Sequence, residues 1–192
     1  MVNELPAALE APLARYLDLL DRWNRAHALT ALAPEARYEE LILDSAQLLP
    51  WLDPLPAQAR VADFGTGMGI PAVVLALARP DLRVAAVDAS AKKVAFLRQV
   101  RLELGMTHLE PLHARLEDLP PLDAALGVAK AVGTLDQLLS WWGRHGRPGG
   151  RFLALKGPEW QREPVPQGWS ATPHEYQLPN RGRRVVLELA PA

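Results

Sequence analysis

The feature that most constrains the fold is a glycine-rich loop directly after a short apolar segment. Three glycines alternate in it, and it reads Asp63-Phe64-Gly65-Thr66-Gly67-Met68-Gly69. The apolar residues before it, 61–64, predict a buried strand, and those after it, 71–78, predict a helix. Glycine lets a backbone turn tightly and lie against a ligand with no Cβ in between. The three segments therefore predict the first unit of an α/β sheet, where ligands bind at the carboxyl ends of the strands.

Strand-like and helix-like segments continue to alternate as far as residue 156. The remaining predicted strands of this region are 83–87, 109–112, 124–129 and 151–155, and the remaining helices are 91–104 and 135–142. Pro148-Gly149-Gly150 predicts a turn before the last of these strands. The alternation is typical of a mostly parallel, doubly wound sheet. Two further strands, 169–178 and 185–189, are joined by a short connection, which predicts an antiparallel hairpin at one edge of a seven-stranded sheet.

The first 55 residues have a different pattern. Leucines and a tryptophan recur at helical spacing between charged residues, which predicts an amphipathic helix over 7–27. A second helix is predicted from Pro34 to about residue 49, and the proline-rich stretch 50–56 is typical of a linker. We therefore predict an N-terminal helical cap, 1–55, beside a cofactor-binding domain, 56–192, the two forming one compact unit.

Two cofactor classes match the glycine loop. Asp88 ends the second predicted strand, where a carboxylate can accept both hydroxyls of a ribose. The run 67–72 satisfies the G-x-G-x-x-A form of the dinucleotide pattern, while 63–69 satisfies the acid-x-G-x-G-x-G pattern of methyltransferases. Asp63 would repel a pyrophosphate but suits the ammonium of a methionine moiety. The residues thus favour S-adenosyl-L-methionine and a Rossmann-like class I methyltransferase fold, with a dinucleotide as the alternative.

Composition excludes several other chemistries. The chain has no cysteine, so it has no disulfide and no thiolate nucleophile. Its five histidines have neither metal-ligand nor triad spacing, and we expect all of them, His145 included, on loops or the surface, with no metal bound. The formal net charge is −1, so an anionic partner would have to meet a local basic patch. No apolar run approaches the ~20 residues of a membrane span, and a cytoplasmic monomer is expected.

Several stretches, in family order over roughly residues 20–157, resemble the RsmG family of bacterial 16S rRNA guanine-N7 methyltransferases, also called GidB or glucose-inhibited division protein B. The most specific are the glycine loop with Ile70-Pro71 and the Lys-Lys-Val-x-Phe-Leu-Arg run that begins at Lys92. The others are Trp23-Asn24, Leu29-Thr30, Leu43-Asp44-Ser45, Val87-Asp88-Ala89-Ser90, the continuation of the Lys92 run to residue 100, Arg115-Leu116-Glu117-Asp118 and Ala154-Leu155-Lys156-Gly157. The resemblance implies methylation of N7 of a guanine in 16S rRNA of the small ribosomal subunit.

Candidate site residues follow from the motifs and from the resemblance. The candidate cofactor contacts are Asp63, Gly65, Thr66, Gly67, Gly69, Ile70, Asp88, Ala89, Leu116, Glu117 and Lys130. No residue is predicted to act as a general base, because guanine N7 carries a lone pair and no proton. Lys130, which stands where the family has the arginine of a Ser-Arg-Ala motif, and Lys156, at the end of a predicted strand, are candidates for positioning the substrate.

Some positions depart from the family pattern on the substrate side. Lys130 replaces an arginine, and Glu40-Leu41 replaces an Arg-His pair. A small-molecule methyltransferase, or a catalytically weakened relative that binds cofactor or RNA, therefore stays open as an alternative. The candidate RNA-binding cations are Arg144, Arg147, Arg151, Arg181, Arg183 and Arg184. Basic residues of the helix 91–104 are interpreted as a solvated face.

Overall fold

The computed structural model describes residues 5–192 and contains a seven-stranded sheet in the order β3-β2-β1-β4-β5-β7-β6. The strands are β1 Arg60–Phe64, β2 Arg83–Asp88, β3 Leu109–His113, β4 Ala124–Lys130, β5 Gly146–Lys156, β6 Trp169–Leu178 and β7 Gly182–Pro191. β1 to β5 are parallel, and β7 pairs antiparallel with both β5 and β6. The predicted mostly parallel sheet with an antiparallel edge pair is confirmed.

Six α-helices surround this sheet in the described part of the chain. They are α1 Ala7–His27, α2 Pro34–Arg37, α3 Asp44–Ala46, α4 Ala72–Ala78, α5 Ala91–Glu103 and α6 Leu135–His145. A π-helical segment, Tyr38–Leu43, joins α2 to α3, so the second predicted helix is one helical stretch with a widened turn. None of the helices between residues 5 and 192 is both long and apolar enough to cross a membrane.

The Pro-Gly-Gly stretch was predicted to be a turn before the fifth strand, and this is wrong. It lies inside β5, because Ala124 of β4 pairs with Gly146 and Leu126 pairs with Arg151. The extra residues of β5 form a bulge in which Gly149 takes a φ of 75°. A bulge inserts residues into one strand while pairing continues on both sides of it, which a local turn pattern does not reveal.

The N-terminal helices pack against α4 and α5, which cover one face of the sheet. The rings of Tyr16 and Trp23 in α1 lie 6.1 Å and 5.6 Å from the ring of Phe96 in α5. Leu13 and Leu20 of α1 belong to the same buried hydrophobic cluster as Val61 of β1. The cap thus shares its core with the sheet, and a domain boundary near residue 55 stays a prediction.

Candidate cofactor site

The glycine loop leaves β1 at the carboxyl edge of the sheet and turns back into α4. The Thr66 amide donates to the carbonyl of Val87 in β2, and the Gly69 and Ile70 amides both donate to the Thr66 carbonyl, each at 2.9 Å. Gly65 and Gly69 have φ values of +71° and +97°, which a side chain rarely adopts. A Cβ on Gly65 would lie 2.6 Å from Val132, so that glycine also permits close approach of the loop after β4.

The cap supports this loop from the other side. The buried hydroxyl of Tyr16 in α1 donates to the Met68 carbonyl at 3.2 Å. Burial raises the pKa of Tyr16, so the hydroxyl stays protonated and acts as a donor. The helical cap is therefore part of what positions the cofactor loop.

Asp88 is held at the tip of β2 by two backbone amides. Its Oδ2 accepts from the Gly67 amide and its Oδ1 accepts from the Ser90 amide, both at 2.8 Å. A carboxylate offers about four lone-pair sites, so these two bonds leave acceptor capacity on each oxygen. The side chain is thus oriented, half-buried and still able to accept hydrogen bonds from a ligand.

An open cavity of about 170 Å³ lies beside the loop and is lined by five segments of the chain. Of the predicted site residues, it brings together Gly65, Asp88, Ala89, Leu116 and Glu117. Sequence reasoning did not single out Val132 and Trp141 as part of this wall, and both line it. No local motif marks either residue as part of the site, because both are far from the glycine loop in the sequence.

Glu117 and Trp141 form one rim of the cavity. The Trp141 indole nitrogen donates to Glu117 Oε1 at 3.0 Å. The backbone amide of Glu117 itself and this indole hold the pKa of Glu117 below its ordinary value. The rim therefore combines a flat aromatic surface with a charged acceptor, a pairing suited to a heterocycle that carries hydroxyl or amino groups.

His145 was predicted to lie on a loop or the surface, and this is wrong. The side chain is fully buried at the end of α6, with Nε2 at 2.9 Å from the Leu116 carbonyl. Burial lowers the pKa of His145, so the ring stays neutral while it holds the cavity segment around Leu116. α6 runs to residue 145 rather than 142, and the added turn carries this residue under the cavity wall.

Asp63 and Thr66 are the two buried polar side chains of the loop. Asp63 is fully buried, and its Oδ2 accepts from the Ala72 amide at 3.0 Å. Its Oδ1 and the Thr66 hydroxyl are buried and have no hydrogen bond of good geometry, although the hydroxyl is close enough to oppose the pKa rise of Asp63. Buried polar atoms are rarely left without a well-aligned partner, so both atoms are candidates to meet a polar ligand group.

Lys130 ends β4 but does not line the cavity. Its ammonium pairs with the buried carboxylate of Asp44 from the cap, and the Tyr176 hydroxyl of β6 donates to the other oxygen of Asp44. Burial, together with the negative charge of Asp44, raises the pKa of Tyr176, which keeps that hydroxyl protonated. The lysine thus joins the cap, β4 and β6, and a cofactor contact by Lys130 stays a prediction.

The Lys156 ammonium is likewise engaged in contacts within the protein. Its ammonium lies 2.8 Å and 3.0 Å from the two oxygens of Glu163 and 3.1 Å from the Gly133 carbonyl. Glu163 also accepts from the Leu135 amide at 3.1 Å, at the first residue of α6. The pair therefore clamps both ends of the short loop that carries Val132 into the cavity wall.

The cap residues that depart from the family pattern make internal contacts. Glu40 pairs with Arg181 of the β6–β7 turn at 3.1 Å, and Leu41 is buried in the core. The neighbouring Glu39 accepts from the Asn180 amide at 2.6 Å and from its side-chain nitrogen at 3.1 Å. These contacts attach the cap to the hairpin turn.

The cavity fits an adenosine moiety. Leu116, Val132 and Trp141 supply apolar surface for a purine, while Asp88 and Glu117 supply acceptors for hydroxyl and amino groups. Within residues 5–192, no group of three or more acidic or histidine side chains is arranged to hold a metal ion.

Comparison with known proteins shows which family the chain belongs to. A model of the GidB family, described as rRNA small subunit methyltransferase G, matches residues 9–176. The ribosomal RNA small subunit methyltransferase G of Yersinia enterocolitica is 39% identical over 173 residues, which cover 86% of this chain and 81% of that protein. The protein of the same name from Azoarcus sp. strain BH72 is 36% identical over 171 residues, which cover 87% and 79%.

A solved structure shows the same fold at low identity. The crystal structure of a SAM-dependent methyltransferase from Aquifex aeolicus matches with a TM-score of 0.58 at 17% identity, and the match covers 81% of this chain and 93% of that one. The Rossmann-like methyltransferase fold, predicted from the alternation of strands and helices and from the glycine loop, is therefore confirmed, and so is the family resemblance. The chain belongs to the GidB family, rRNA small subunit methyltransferase G.

Proposed function

We propose that this enzyme transfers a methyl group from S-adenosyl-L-methionine to N7 of a guanine in the 16S rRNA of the small ribosomal subunit. The observation that carries the proposal is the cavity at the glycine loop, where Asp88 is oriented by two amides opposite the rim of Glu117 and Trp141. The names of the curated relatives support a small-subunit rRNA substrate. We further propose that the enzyme acts as a monomer in the cytoplasm.

Each part of the site has a defined role under this proposal. Asp88 accepts the ribose hydroxyls, Leu116 and Trp141 flank the adenine, and Asp63 with Thr66 faces the amino group of the methionine moiety. When bound, S-adenosyl-L-methionine supplies an electrophilic methyl group on a sulfonium. The glycine loop contributes a surface with no Cβ, so the cofactor can lie directly against its backbone.

The residues at this edge of the sheet orient groups rather than move protons. Guanine N7 has a lone pair and no proton, so methyl transfer to it needs no general base. The ammonium groups of Lys130 and Lys156 are each paired with a carboxylate. They are therefore suited to holding segments of the chain in place and not to acting as a free amine base. Catalysis then comes mainly from holding the attacking nitrogen and the methyl carbon in line, about 3 Å apart.

A methylation assay tests the proposal directly. The purified enzyme is incubated with methyl-labelled cofactor and with 30S subunits from cells that lack this modification, and the rRNA nucleosides are then separated by mass spectrometry. We expect one molecule of 7-methylguanosine per subunit. Cofactor binding without transfer to 30S subunits would contradict the RNA substrate and favour the small-molecule or weakened-relative alternative.

Cofactor binding is expected to depend on pH through Asp63. Burial raises the pKa of this carboxyl to about 7, so it is largely protonated below that pH. A cofactor ammonium beside it would favour the charged form, so binding releases a proton and the affinity rises as the pH increases from about 6 to about 7. Calorimetry in two buffers of different ionisation enthalpy measures the proton released.

Asp63→Asn is the matched variant for this prediction. It should abolish the proton release, and a wild-type enthalpy that is the same in both buffers would contradict the role of Asp63. The same variant should also differ from wild type in the pH dependence of its stability when no cofactor is present. Because the folded pKa lies above the ordinary 3.8, wild-type stability falls as the pH rises through about 7. Asp63→Asn should therefore be the more stable protein at pH 8.

A further inference from the structure

The sheet order separates the candidate RNA-binding arginines into two groups. β7 runs antiparallel to β5 and pairs Val185 with Lys156, the last residue of β5. Arg183 and Arg184 precede Val185, so they lie beyond the carboxyl end of β5, at the same edge of the sheet as the cofactor cavity. Arg147 and Arg151 lie near the amino end of β5, where Leu126 pairs with Arg151, and thus at the opposite edge.

A groove at the cavity edge is formed by the β6–β7 hairpin and the 3₁₀ turn 158–162 that follows β5. Its lining includes Trp160, Gln161, Arg183 and Arg184, together with Glu175 from β6. Arg183 is exposed, and among residues 5–192 it has no side-chain hydrogen bond or ion pair. Arg184 donates to the carbonyls of Arg181 and Arg183 at 2.7 Å and 3.0 Å, which fixes its position at the hairpin turn.

The groove is connected to the cofactor cavity by direct contacts. Glu163, which follows the 3₁₀ turn, bonds to Lys156, and Lys156 bonds to the Gly133 carbonyl. Val132, the neighbour of Gly133, lines the cavity. A strand of RNA lying in the groove would therefore pass next to the place where the target base must enter.

We propose that this groove binds single-stranded RNA adjacent to the target guanine, an inference that rests on the proposed function. Arg183 and Arg184 contact phosphates, and the partly exposed indole of Trp160 stacks on a base. Cations that follow the backbone beside an aromatic ring are the usual means of holding single strands. Glu175 is the one carboxylate in the lining, and because it lies on the same hairpin as the arginines it offsets part of their positive charge.

The test compares matched pairs of arginines at the two edges. Arg183→Ala/Arg184→Ala is compared with Arg147→Ala/Arg151→Ala in two measurements: binding of a short fluorescein-labelled single-stranded RNA, and methylation of 30S subunits at increasing subunit concentration. We expect the first variant to bind and to methylate with about tenfold weaker apparent affinity. The log–log slope of its affinity against salt concentration should become shallower by about 0.7 for each phosphate that the variant no longer binds. The second variant should behave like wild type.

Trp160 gives an independent measurement. Trp160→Ala should weaken binding of the labelled RNA about tenfold, and Trp160→Phe should restore most of it, because any flat ring can stack. Cofactor affinity and melting temperature serve as folding controls for every variant. Equal losses of RNA affinity in the two arginine variants would contradict RNA binding in the groove. Failure of the wild-type protein to bind the labelled RNA would contradict it as well. RNA binding without methylation of 30S subunits would contradict the proposed function and leave the groove supported.

Discussion

Asp88→Ala is expected to weaken S-adenosyl-L-methionine binding by about 10²-fold or more and to reduce methyl transfer correspondingly. The carboxylate is the proposed acceptor for both ribose hydroxyls, and hydrogen bonds to a charged group contribute about 1.5–3 kcal/mol each. Two such bonds correspond to at least two powers of ten in affinity. The variant also removes the acceptor of the Gly67 and Ser90 amides, which orients the loop. Calorimetry with the cofactor and single-turnover methylation measure the two losses.

Two further variants show whether that loss is specific. Asp88→Asn retains one oxygen acceptor, so it should bind more tightly than Asp88→Ala and more weakly than wild type. Asp18→Ala removes an exposed carboxylate on α1 and should leave cofactor affinity unchanged. If Asp88→Ala bound the cofactor as tightly as Asp18→Ala, the cavity at the glycine loop would not be the cofactor site.

Asp44→Ala is expected to cause the largest loss of stability, about 3 kcal/mol. Removing one partner of a buried ion pair costs about 3–5 kcal/mol, and the lower value applies because the Lys130 side chain keeps 18% of its exposure to solvent. The Tyr176 hydroxyl loses its acceptor as well. For a chain of this size, such a change lowers the melting temperature by roughly 6–12 °C, which calorimetry would detect.

A double-mutant cycle separates the ion pair from the remaining packing of Asp44. Lys130→Met removes the ammonium but keeps the apolar volume of the side chain. The loss of unfolding free energy in Asp44→Ala/Lys130→Met should therefore be smaller than the sum of the losses in the two single variants. Tyr176→Phe isolates the hydroxyl and should cost about 1 kcal/mol. Strictly additive losses for Asp44 and Lys130 would contradict the coupling. Coupling would show that the Lys130 ammonium stabilises the fold through the Asp44 carboxylate.

The strand, glycine loop and helix were predictable because their signals are local. Apolar runs, alternating glycines and a carboxylate at a strand end all lie within a few residues of one another, and strand order in a doubly wound sheet then brings Asp88 beside Gly65. The same local logic located α1 and the final hairpin. Leu116 and Glu117, by contrast, were expected near the cofactor from the family resemblance and not from a local pattern.

Other parts of the site depended on residues that are far apart in the sequence. Trp141 and Val132 reach the cavity from elements after β4, and the buried His145 holds Leu116 from the end of α6. No pattern in the neighbourhood of these residues marks them as site residues. Their positions follow from how α6 packs on the sheet. That packing depends on many contacts between residues that are distant in the sequence.

The glycine loop and Asp88 were therefore determined by the sequence alone, through backbone conformation and charge at fixed spacing. Only the tertiary structure decided the partners of the charged side chains. Lys130 meets Asp44 across the cap, and the arginines of the hairpin lie at the cavity edge while those of early β5 lie at the other. The spacing of charged residues along the sequence does not predict which of them will pair. Their partners are set by the strand order and by the antiparallel direction of β7.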